Sequence, residues 1–401
     1  MNDAISSPRL AARVCGLAGS ATVEMSERIR QAQAAGAEVL PLASGDPNLP
    51  THPEIIAAAH RALQEGQTRY GPAAGLPALR TALARRLSAR GGAGYSADEL
   101  LVTPGGKFAV FAAMMAVVEP GDEVIHFDPC WVSYRACVRL CGGVPVAVPA
   151  LGTIDAGRVA AAVTPRTRMI VVNSPVNPTG AVLSRDELAA LLAIAERHDL
   201  WLLFDQVYAE LVFAPDGFVP LQSLPGAKRR TFIADSLSKT YGMTGWRLGC
   251  LAAPEAAAKA VLKVIQHSIY CVPPFIQAAA LAALALPESI VERHRERFRR
   301  RRDVAAAALG ALPGISCAAP PATFYLFPKV GGDDKAVAAE WLEKLAIAVL
   351  PGSAFGAAGA GHLRLSLACS DEVLDEALAR LRRHYLANSR DKDEIKTGST
   401  A

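Results

Sequence analysis

Residues 231–239 read Thr-Phe-Ile-Ala-Asp-Ser-Leu-Ser-Lys, a short apolar strand pattern followed by two serines and a lysine. The chain then continues through two glycines to Arg247. A lysine that faces a cleft near other cations can lose its proton and act as a nucleophilic amine. The hydroxyls of Ser236 and Ser238, together with Arg247, would suit a phosphate group. A solvated surface position is the more common fate of a lysine, so this reading of Lys239 needs support from the rest of the chain.

Two further predicted strands are followed by polar side chains. Asp205 ends the apolar run 201–205, and Tyr208 follows three residues later. A carboxylate at the end of a buried strand is costly unless it is paired, so Asp205 would either cap a helix or hold a cation such as a protonated pyridine nitrogen. Asn177 follows the run 169–173 on a turn that prolines make rigid, and turn chemistry alone does not explain its amide.

The segment 103–107, Thr-Pro-Gly-Gly-Lys, joins a predicted strand directly to a helix. Its two glycines allow close backbone approach, and the free N–H groups and dipole of a helix N-terminus suit an anion. The segment matches neither GxxxxGK[ST] nor GxGxxG, and an ordinary glycine turn is the alternative.

The order of the apolar runs predicts an α/β fold with a mostly parallel, seven-stranded sheet in a large domain, plus a smaller α+β domain. Strands that are apolar throughout are typical of a sheet covered by helices on both faces. In such sheets, ligands bind at the C-terminal ends of the strands. The candidate strands are residues 100–103, 124–127, 145–148, 169–173, 201–205, 231–235 and 247–252.

The pattern changes after about residue 287. A long basic helix is predicted over 289–308, followed by three short strands and a closing helix over 372–385. We therefore expect four parts: an N-terminal segment that packs with the small domain, a large cofactor domain, a small C-terminal domain and a flexible tail. Their predicted bounds are 1–44, 45–287, 288–387 and 388–401.

Composition excludes a disordered chain and limits the remaining classes. Of 401 residues, 51% are hydrophobic and 20% charged, which is enough to form a large core. The net charge of +4 is too small to argue for a nucleic-acid or membrane partner. The eight cysteines form no CxxC, no signal peptide or membrane span is expected, and a cytoplasmic location follows. We expect no metal site, since the histidines lack ligand spacing. The basic run 293–302 is interpreted as a solvated helix face.

Taken together, these motifs resemble the class I aminotransferases of pyridoxal-phosphate fold type I, most closely the bacterial aspartate aminotransferase branch. The resemblance covers residues 10–385, and the order and spacing of its pieces make it specific. The pieces lie at residues 44–47, 68–72, 105–107, 128–134, 177–180, 205–208, 236–239, 245–247 and 362–366.

The resemblance implies roles around a pyridoxal phosphate. Lys239 would form the Schiff base with the cofactor and move the proton during catalysis. Asp205 would pair with the pyridine nitrogen, and Tyr208 and Asn177 would hydrogen-bond the 3-oxygen. Trp131 would stack on the ring. The phosphate would be bound by Gly106, Lys107, Ser236, Ser238 and Arg247, with Tyr70 reaching in from a second subunit of a homodimer.

The resemblance also implies how substrates bind. Arg364 would bind the α-carboxylate, helped by Asn177 and the backbone of Gly45. Lys107 and the hydroxyls at Ser20 and Thr22 would hold a distal carboxylate, which favours aspartate or glutamate as the amino donor and a 2-oxo acid as the acceptor.

At some positions the sequence departs from the pattern of this family, so amino donors other than aspartate and glutamate remain alternatives. Residues 17–20 lack a Lys-Pro pair that many relatives have, Gln206 replaces a common acid, and Val176 replaces a common asparagine. The apolar and aromatic stretch 269–272 is expected near the side-chain pocket, so aromatic, branched or basic donors are alternatives. The same fold also hosts β-eliminating lyases, which is the alternative activity. A non-enzymatic regulator that uses this fold as a sensor is disfavoured. Such regulators carry an additional DNA-binding domain, and the roughly forty residues before residue 44 are too few for one.

Overall fold

The computed structural model describes residues 10–214 and 217–397, and it describes side chains up to residue 387. The start of the predicted N-terminal segment (1–9) and the end of the predicted tail (398–401) lie outside these residues. Residues 388–397, which we assigned to a flexible tail, continue the last helix. The domain boundaries themselves stay predictions.

Helices occupy both the large and the small part of the chain. Sequence signals explain several of their ends: Ser184 and Glu187 form a capping box at the start of the eighth helix, and Gly92 in a left-handed conformation ends the fourth. The helices are α1 Ala12–Cys15, α2 Ala21–Ala34, α3 Pro53–Gln64, α4 Pro77–Gly91, α5 Gly106–Met115, α6 Ser133–Leu140, α7 Ala156–Ala161, α8 Arg185–Arg197, α9 Glu255–Gln266, α10 Pro274–Ala285, α11 Glu288–Gly310, α12 Asp334–Leu345 and α13 Asp371–Thr397.

The strands are short in the small part and longer in the large one. They are β1 Leu40–Pro41, β2 Leu100–Thr103, β3 Glu123–Asp128, β4 Val144–Pro149, β5 Thr167–Asn173, β6 Trp201–Asp205, β7 Thr231–Ser236, β8 Gly249–Ala252, β9 Ile315–Ser316, β10 Tyr325–Leu326, β11 Lys329–Val330, β12 Ile347–Ala348, β13 Leu350–Pro351 and β14 Leu363–Ser366.

The large sheet has seven strands in the order β2-β8-β7-β6-β5-β3-β4. Only β8 runs antiparallel to its neighbours β2 and β7; the other pairs are parallel. This confirms the predicted mostly parallel, seven-stranded sheet. The strand predicted from residue 247 begins at Gly249, because Arg247 has a positive φ of 52° that no strand accommodates.

Helices cover both faces of the sheet, as the apolar strands predicted. One face packs against α5, α6 and α9 through residues such as Val110, Val138 and Val261. The other face packs against α7 and α8 near β5 and β6, and against α3, α4 and α10 near β2 and β8. Because helices cover both faces of the sheet, a ligand can reach it only at the ends of the strands.

The small part has its own core. Strands β10, β14 and β13 form an antiparallel sheet, and β1 pairs with β12, so the segment near residue 40 packs with the C-terminal part. Trp341 is fully buried there among α11, α12 and α13. Several arginines of the basic run pair with acids of the same chain, including Arg301 with Asp371 and Arg295 with Glu210.

Within the described residues, no single helix is long and apolar enough to cross a membrane. Helices α10 and α11 are long and apolar enough only when taken together, and they are bent by 83° relative to each other.

Candidate active site

A cleft of about 1050 Å³ lies between the large sheet and the small part. It opens at the C-terminal ends of β5, β6 and β7, the edge where strand-end chemistry was expected. Thirteen of the predicted site residues line it: Thr22, Gly45, Gly106, Lys107, Trp131, Asn177, Asp205, Tyr208, Ser236, Ser238, Lys239, Arg247 and Arg364.

Lys239 lies three residues beyond the end of β7, inside the cleft. Its Nζ donates a hydrogen bond to the carbonyl oxygen of Gly45 at 2.6 Å. Burial lowers the pKa of this amine to about 8, and the positive charges of Arg247 and Arg364 add to that effect against the opposing acids Asp46 and Asp205. An appreciable share of Lys239 is therefore an uncharged nucleophile near neutral pH.

Asp205 ends β6 and is 5% exposed. It accepts hydrogen bonds from the Tyr134 hydroxyl at 2.7 Å and from the Val207 N–H at 3.2 Å. Burial raises the pKa of Asp205 to about 6, and these hydrogen bonds oppose the shift. Both donors are neutral, so the carboxylate has its charge available for a bound cation.

An anion cradle is formed where α5 starts. Gly105 has φ +84°, and a Cβ there would lie 2.7 Å from Nη2 of Arg247. Behind it, the Ser236 hydroxyl bonds to Ser238 Oγ at 2.8 Å. A Cβ at Gly249 would lie 2.6 Å from the backbone nitrogen of Gly106, so only glycine lets β8 pack against this turn. The N-terminus of α5, two hydroxyls and a guanidinium thus lie close together on the cleft wall.

Arg364 projects from β14 and is 1% exposed. Its Nη1 donates to Oδ1 of Asn177 at 3.1 Å and its Nη2 to the carbonyl of Ala43 at 2.7 Å, while the buried Nε has no partner among the described atoms. Burial lowers the pKa of Arg364 from its ordinary value. A buried guanidinium with an unused donor is suited to bind a carboxylate.

Asn177 and Tyr208 also line the cleft. The backbone N–H of Asn177 donates to Asn173 Oδ1 at 2.9 Å, and Asn173 Nδ2 donates to the Asp205 carbonyl at 2.9 Å. The Tyr208 hydroxyl lies 2.9 Å from that of Tyr325. Burial raises the pKa of Tyr208 well above its usual value, so the phenol keeps its proton.

The residues predicted to hold a distal carboxylate are brought together only in part. Thr22 and the exposed Lys107 line the cleft, and Lys107 Nζ lies 5.2 Å from the centre of a Trp131 ring. Ser20 is not among the lining residues, although its Oγ lies 3.0 Å from Thr22 Oγ1.

Tyr70 does not line the cleft of its own chain. It is 85% exposed and packs on Tyr270, with ring centroids 4.8 Å apart. The stretch 269–272, expected near the side-chain pocket, is likewise absent from the lining of this cleft. The turn after α9 instead places Tyr270 against the exposed Tyr70, so a place for 269–272 near a side-chain pocket stays a prediction.

Sequence reasoning missed three residues that contact the site: Tyr134, Asn173 and Tyr325. Asn173 ends β5, so the strand-end rule that found Asp205 could have found it. Tyr134 lies in the motif 128–134, where only Trp131 was given a role. No local signal marks Tyr325, because it comes from a two-residue strand of the small part. Among the described residues, no group of three or more His, Cys, Asp or Glu side chains could hold a metal ion.

The sequence profile described as "aminotransferase class I and II" matches residues 37–381. The probable aspartate/prephenate aminotransferase of Aquifex aeolicus is 39% identical over 388 residues, which is 93% of this chain and 98% of the relative. The putative aminotransferase YugH of Bacillus subtilis is 41% identical and covers 86% of the chain and 91% of its own length. A solved structure of the aspartate aminotransferase from Thermus thermophilus with maleate superposes with a TM-score of 0.89 at 38% identity, covering 94% and 99% of the two chains.

Proposed function

The chain belongs to the class I and II aminotransferase family, and from that premise we propose that it moves the amino group of aspartate or glutamate to 2-oxo acids by a ping-pong reaction. It is a pyridoxal-phosphate-dependent transaminase that acts on amino acids and 2-oxo acids. One observation carries the proposed roles: a single cleft holds the amine of Lys239, the carboxylate of Asp205 and the guanidinium of Arg364.

The cleft residues fit pyridoxal phosphate at both of its charged ends. The start of α5 with Ser236, Ser238 and Arg247 offers donors for a phosphate, and the close approach of Gly249 leaves no room for a side chain there. At the other end, Asp205 accepts hydrogen bonds only from neutral groups among the described residues. Its negative charge is therefore free to pair with a protonated ring nitrogen. The flat side chain of Trp131 lines the same cleft, which suits stacking on the ring.

Pyridoxal phosphate supplies an aldehyde carbon that a primary amine can join and a ring that accepts an electron pair. Lys239 Nζ would be that amine, and once free it would be the base that takes the proton from the substrate Cα. A pKa of about 8 lets the same nitrogen accept and return a proton near neutral pH. Asp205 stabilises positive charge at the ring nitrogen, which strengthens the electron acceptor.

The remaining residues bind and orient. Arg364 would bind the substrate α-carboxylate with two N–H groups of its guanidinium. The hydrogen bond from its Nη1 to Asn177 Oδ1, at 3.1 Å, orients that guanidinium. The Tyr208 phenol and the Asn177 amide would donate hydrogen bonds to the 3-oxygen of the cofactor. Gly45 lines the cleft, its carbonyl accepts the hydrogen bond from Lys239, and its backbone would help Arg364 to bind the α-carboxylate.

Dicarboxylic substrates are supported by Lys107 and Thr22 on the cleft wall. The names of the relatives add aspartate and prephenate as candidate substrates, and prephenate also carries a carboxylate distant from its 2-oxo acid group. We propose a homodimer with Tyr70 completing the phosphate site of the partner subunit, supported by the exposure of Tyr70. A cytoplasmic location is supported by eight free cysteines.

The test is amino exchange measured with a panel of donors and acceptors. Aspartate and glutamate should react fastest with 2-oxoglutarate, oxaloacetate or prephenate, each amino group lost by the donor appearing on the acceptor. Lys239→Ala should abolish turnover and the absorbance shift that accompanies covalent attachment of the cofactor to this lysine. Release of ammonia and pyruvate from a cysteine conjugate, without any exchange, would instead establish the β-lyase alternative.

Substrate preference is tested at Lys107. Lys107→Ala should lower kcat/KM for aspartate about tenfold or more, because a charge-assisted hydrogen bond contributes about 1.5–3 kcal/mol. The loss for phenylalanine should be much smaller. Lys259→Ala, an exposed lysine on α9 paired with Glu255, is the matched control. Equal losses for both donors would remove Lys107 from the distal-carboxylate site.

A further inference from the structure

The guanidinium of Arg364 lies over two aromatic rings of the small part. Its Cζ is 4.3 Å from the ring centre of Tyr325 and 4.8 Å from that of Phe355. All three side chains are fully buried. Stacking on an aromatic face attracts a guanidinium and restricts its tilt, so the two rings set the plane in which Arg364 can meet a carboxylate.

The hydroxyl of Tyr325 serves a different neighbour. It lies 2.9 Å from the Tyr208 hydroxyl, and the two rings meet nearly edge to face at 5.8 Å. Tyr208 follows β6 of the large sheet, whereas Tyr325 is in β10 beside β14, so this hydrogen bond joins the two parts of the molecule across the cleft. A Cβ at Gly45 would lie 3.3 Å from the same hydroxyl, which places Tyr325 at the cleft wall.

A hydrogen bond between two phenols requires that one of them donates. If Tyr325 donates, Tyr208 keeps its own proton for another acceptor in the cleft, and its donation is strengthened because linked hydrogen bonds polarise one another. If Tyr208 donated to Tyr325, its proton would be unavailable to a cofactor oxygen. The first arrangement is the one that the role of Tyr208 requires.

We propose that Tyr325 is a positioning residue that couples the substrate-carboxylate site to the cofactor site. Its ring, with Phe355, aligns Arg364, and its hydroxyl donates to Tyr208 so that Tyr208 donates to the 3-oxygen of the cofactor. The inference rests on the proposed function and extends it. One side chain of the small part acts on both the substrate-carboxylate site and the cofactor site, the first through its ring and the second through its hydroxyl.

Two variants separate those actions. Tyr325→Phe removes the hydroxyl and keeps the ring under Arg364, whereas Phe355→Leu removes one ring and keeps the hydroxyl. The measurements are the pH midpoint of the visible absorbance of the bound cofactor, the dissociation constant of the unreactive dicarboxylate maleate, and kcat and KM for the best donor of the panel. Circular dichroism and cofactor content establish that each variant is folded and loaded.

Tyr325→Phe should shift the absorbance midpoint upward by about half a pH unit and lower kcat about fivefold, because the donation from Tyr208 to the cofactor weakens. Its maleate dissociation constant and KM should stay within about twofold of wild type. Phe355→Leu should weaken maleate binding about fivefold and leave the midpoint where it is.

An unchanged midpoint in Tyr325→Phe, or the same pattern of losses in both variants, would overturn the coupling. Failure of the proposed function would look different, since the wild-type protein would then bind the cofactor without exchanging amino groups. A Tyr325→Phe protein that is loaded, active and spectrally identical to an active wild type contradicts the Tyr325 inference alone.

Discussion

Asp205 is a carboxylate held among neutral donors, and this has a measurable cost in the protein without cofactor. The pKa of Asp205 is raised to about 6, mainly by burial, from an ordinary value near 4. The folded protein therefore binds this proton more tightly than the unfolded chain does. The free energy of unfolding should decrease as pH rises from about 4 through about 6, and the full penalty is present above that range.

Asp205→Asn should consequently stabilise the cofactor-free protein at pH 8 by on the order of 2–3 kcal/mol, at about 1.4 kcal/mol for each pKa unit. The gain should shrink towards pH 4. Urea unfolding at pH 8 and pH 4.5 measures both values. Pyridoxal phosphate should reverse the order, because only the carboxylate can pair with a protonated ring nitrogen. Equal stabilities of variant and wild type at both pH values would contradict the assignment.

At the scale of elements, two arginines of α4 form ion pairs with acids near the C-terminal ends of β6 and β7, where the site lies. Arg90 pairs with both Glu210 and Asp235, and Arg86 pairs with Glu210 at 2.8 Å. Glu210 follows Tyr208 by two residues. Asp235 precedes Ser236, and its Oδ1 accepts a hydrogen bond from the backbone N–H of Ser236 at 2.7 Å. The pairs lower the pKa of Glu210 despite its burial. Helix α4 thereby supports the cradle from the far side of the sheet.

Arg90→Met should destabilise the protein by about 3 kcal/mol, because it leaves two largely buried carboxylates without their shared partner. Thermal or urea unfolding of the cofactor-free protein measures the loss. Adding Asp235→Asn should recover part of it, since one uncompensated charge is removed. Arg85→Met, at an exposed position one turn earlier on α4, is the control and should be nearly neutral. A neutral Arg90→Met would show that the network does not hold these strand ends.

At the scale of the whole molecule, Tyr70 can reach a cofactor site only if a second subunit presents it. The ring is 85% exposed on one chain, against Tyr270, and does not line its own cleft. In a dimer with shared sites, a Tyr70 defect and a Lys239 defect on different chains leave one of the two sites intact.

Mixing Tyr70→Ala with Lys239→Ala, followed by subunit exchange, should restore roughly a quarter of the wild-type activity, since about half of the dimers are mixed and each has one complete site. Each variant alone should be strongly impaired. Activity assays before and after exchange, with sedimentation to confirm the dimer, make the measurement. An absence of recovery despite mixed dimers would place Tyr70 in the site of its own chain or outside any site.

The sequence alone determined the sheet and one edge of the site. Apolar strands that end at Asp205 or are followed closely by Asn177 and Lys239 predict a buried, mostly parallel sheet with chemistry at its C-terminal edge, because strand periodicity and burial are local properties of each run. The resemblance to class I aminotransferases, which the family profile bears out, added the cofactor and Arg364. The strand ends were accurate to within two residues even at β8.

Only the tertiary structure decided which distant side chains meet. Tyr325 and Phe355 surround Arg364, and Tyr134 bonds to Asp205 71 positions away in sequence. No local pattern encodes these contacts, because they arise when the small part folds over the strand ends and packs its rings against groups from the large sheet. The separation of Tyr70 from its own cleft has the same origin: the path of the folded backbone, rather than the residue type, determines whether a side chain reaches the site.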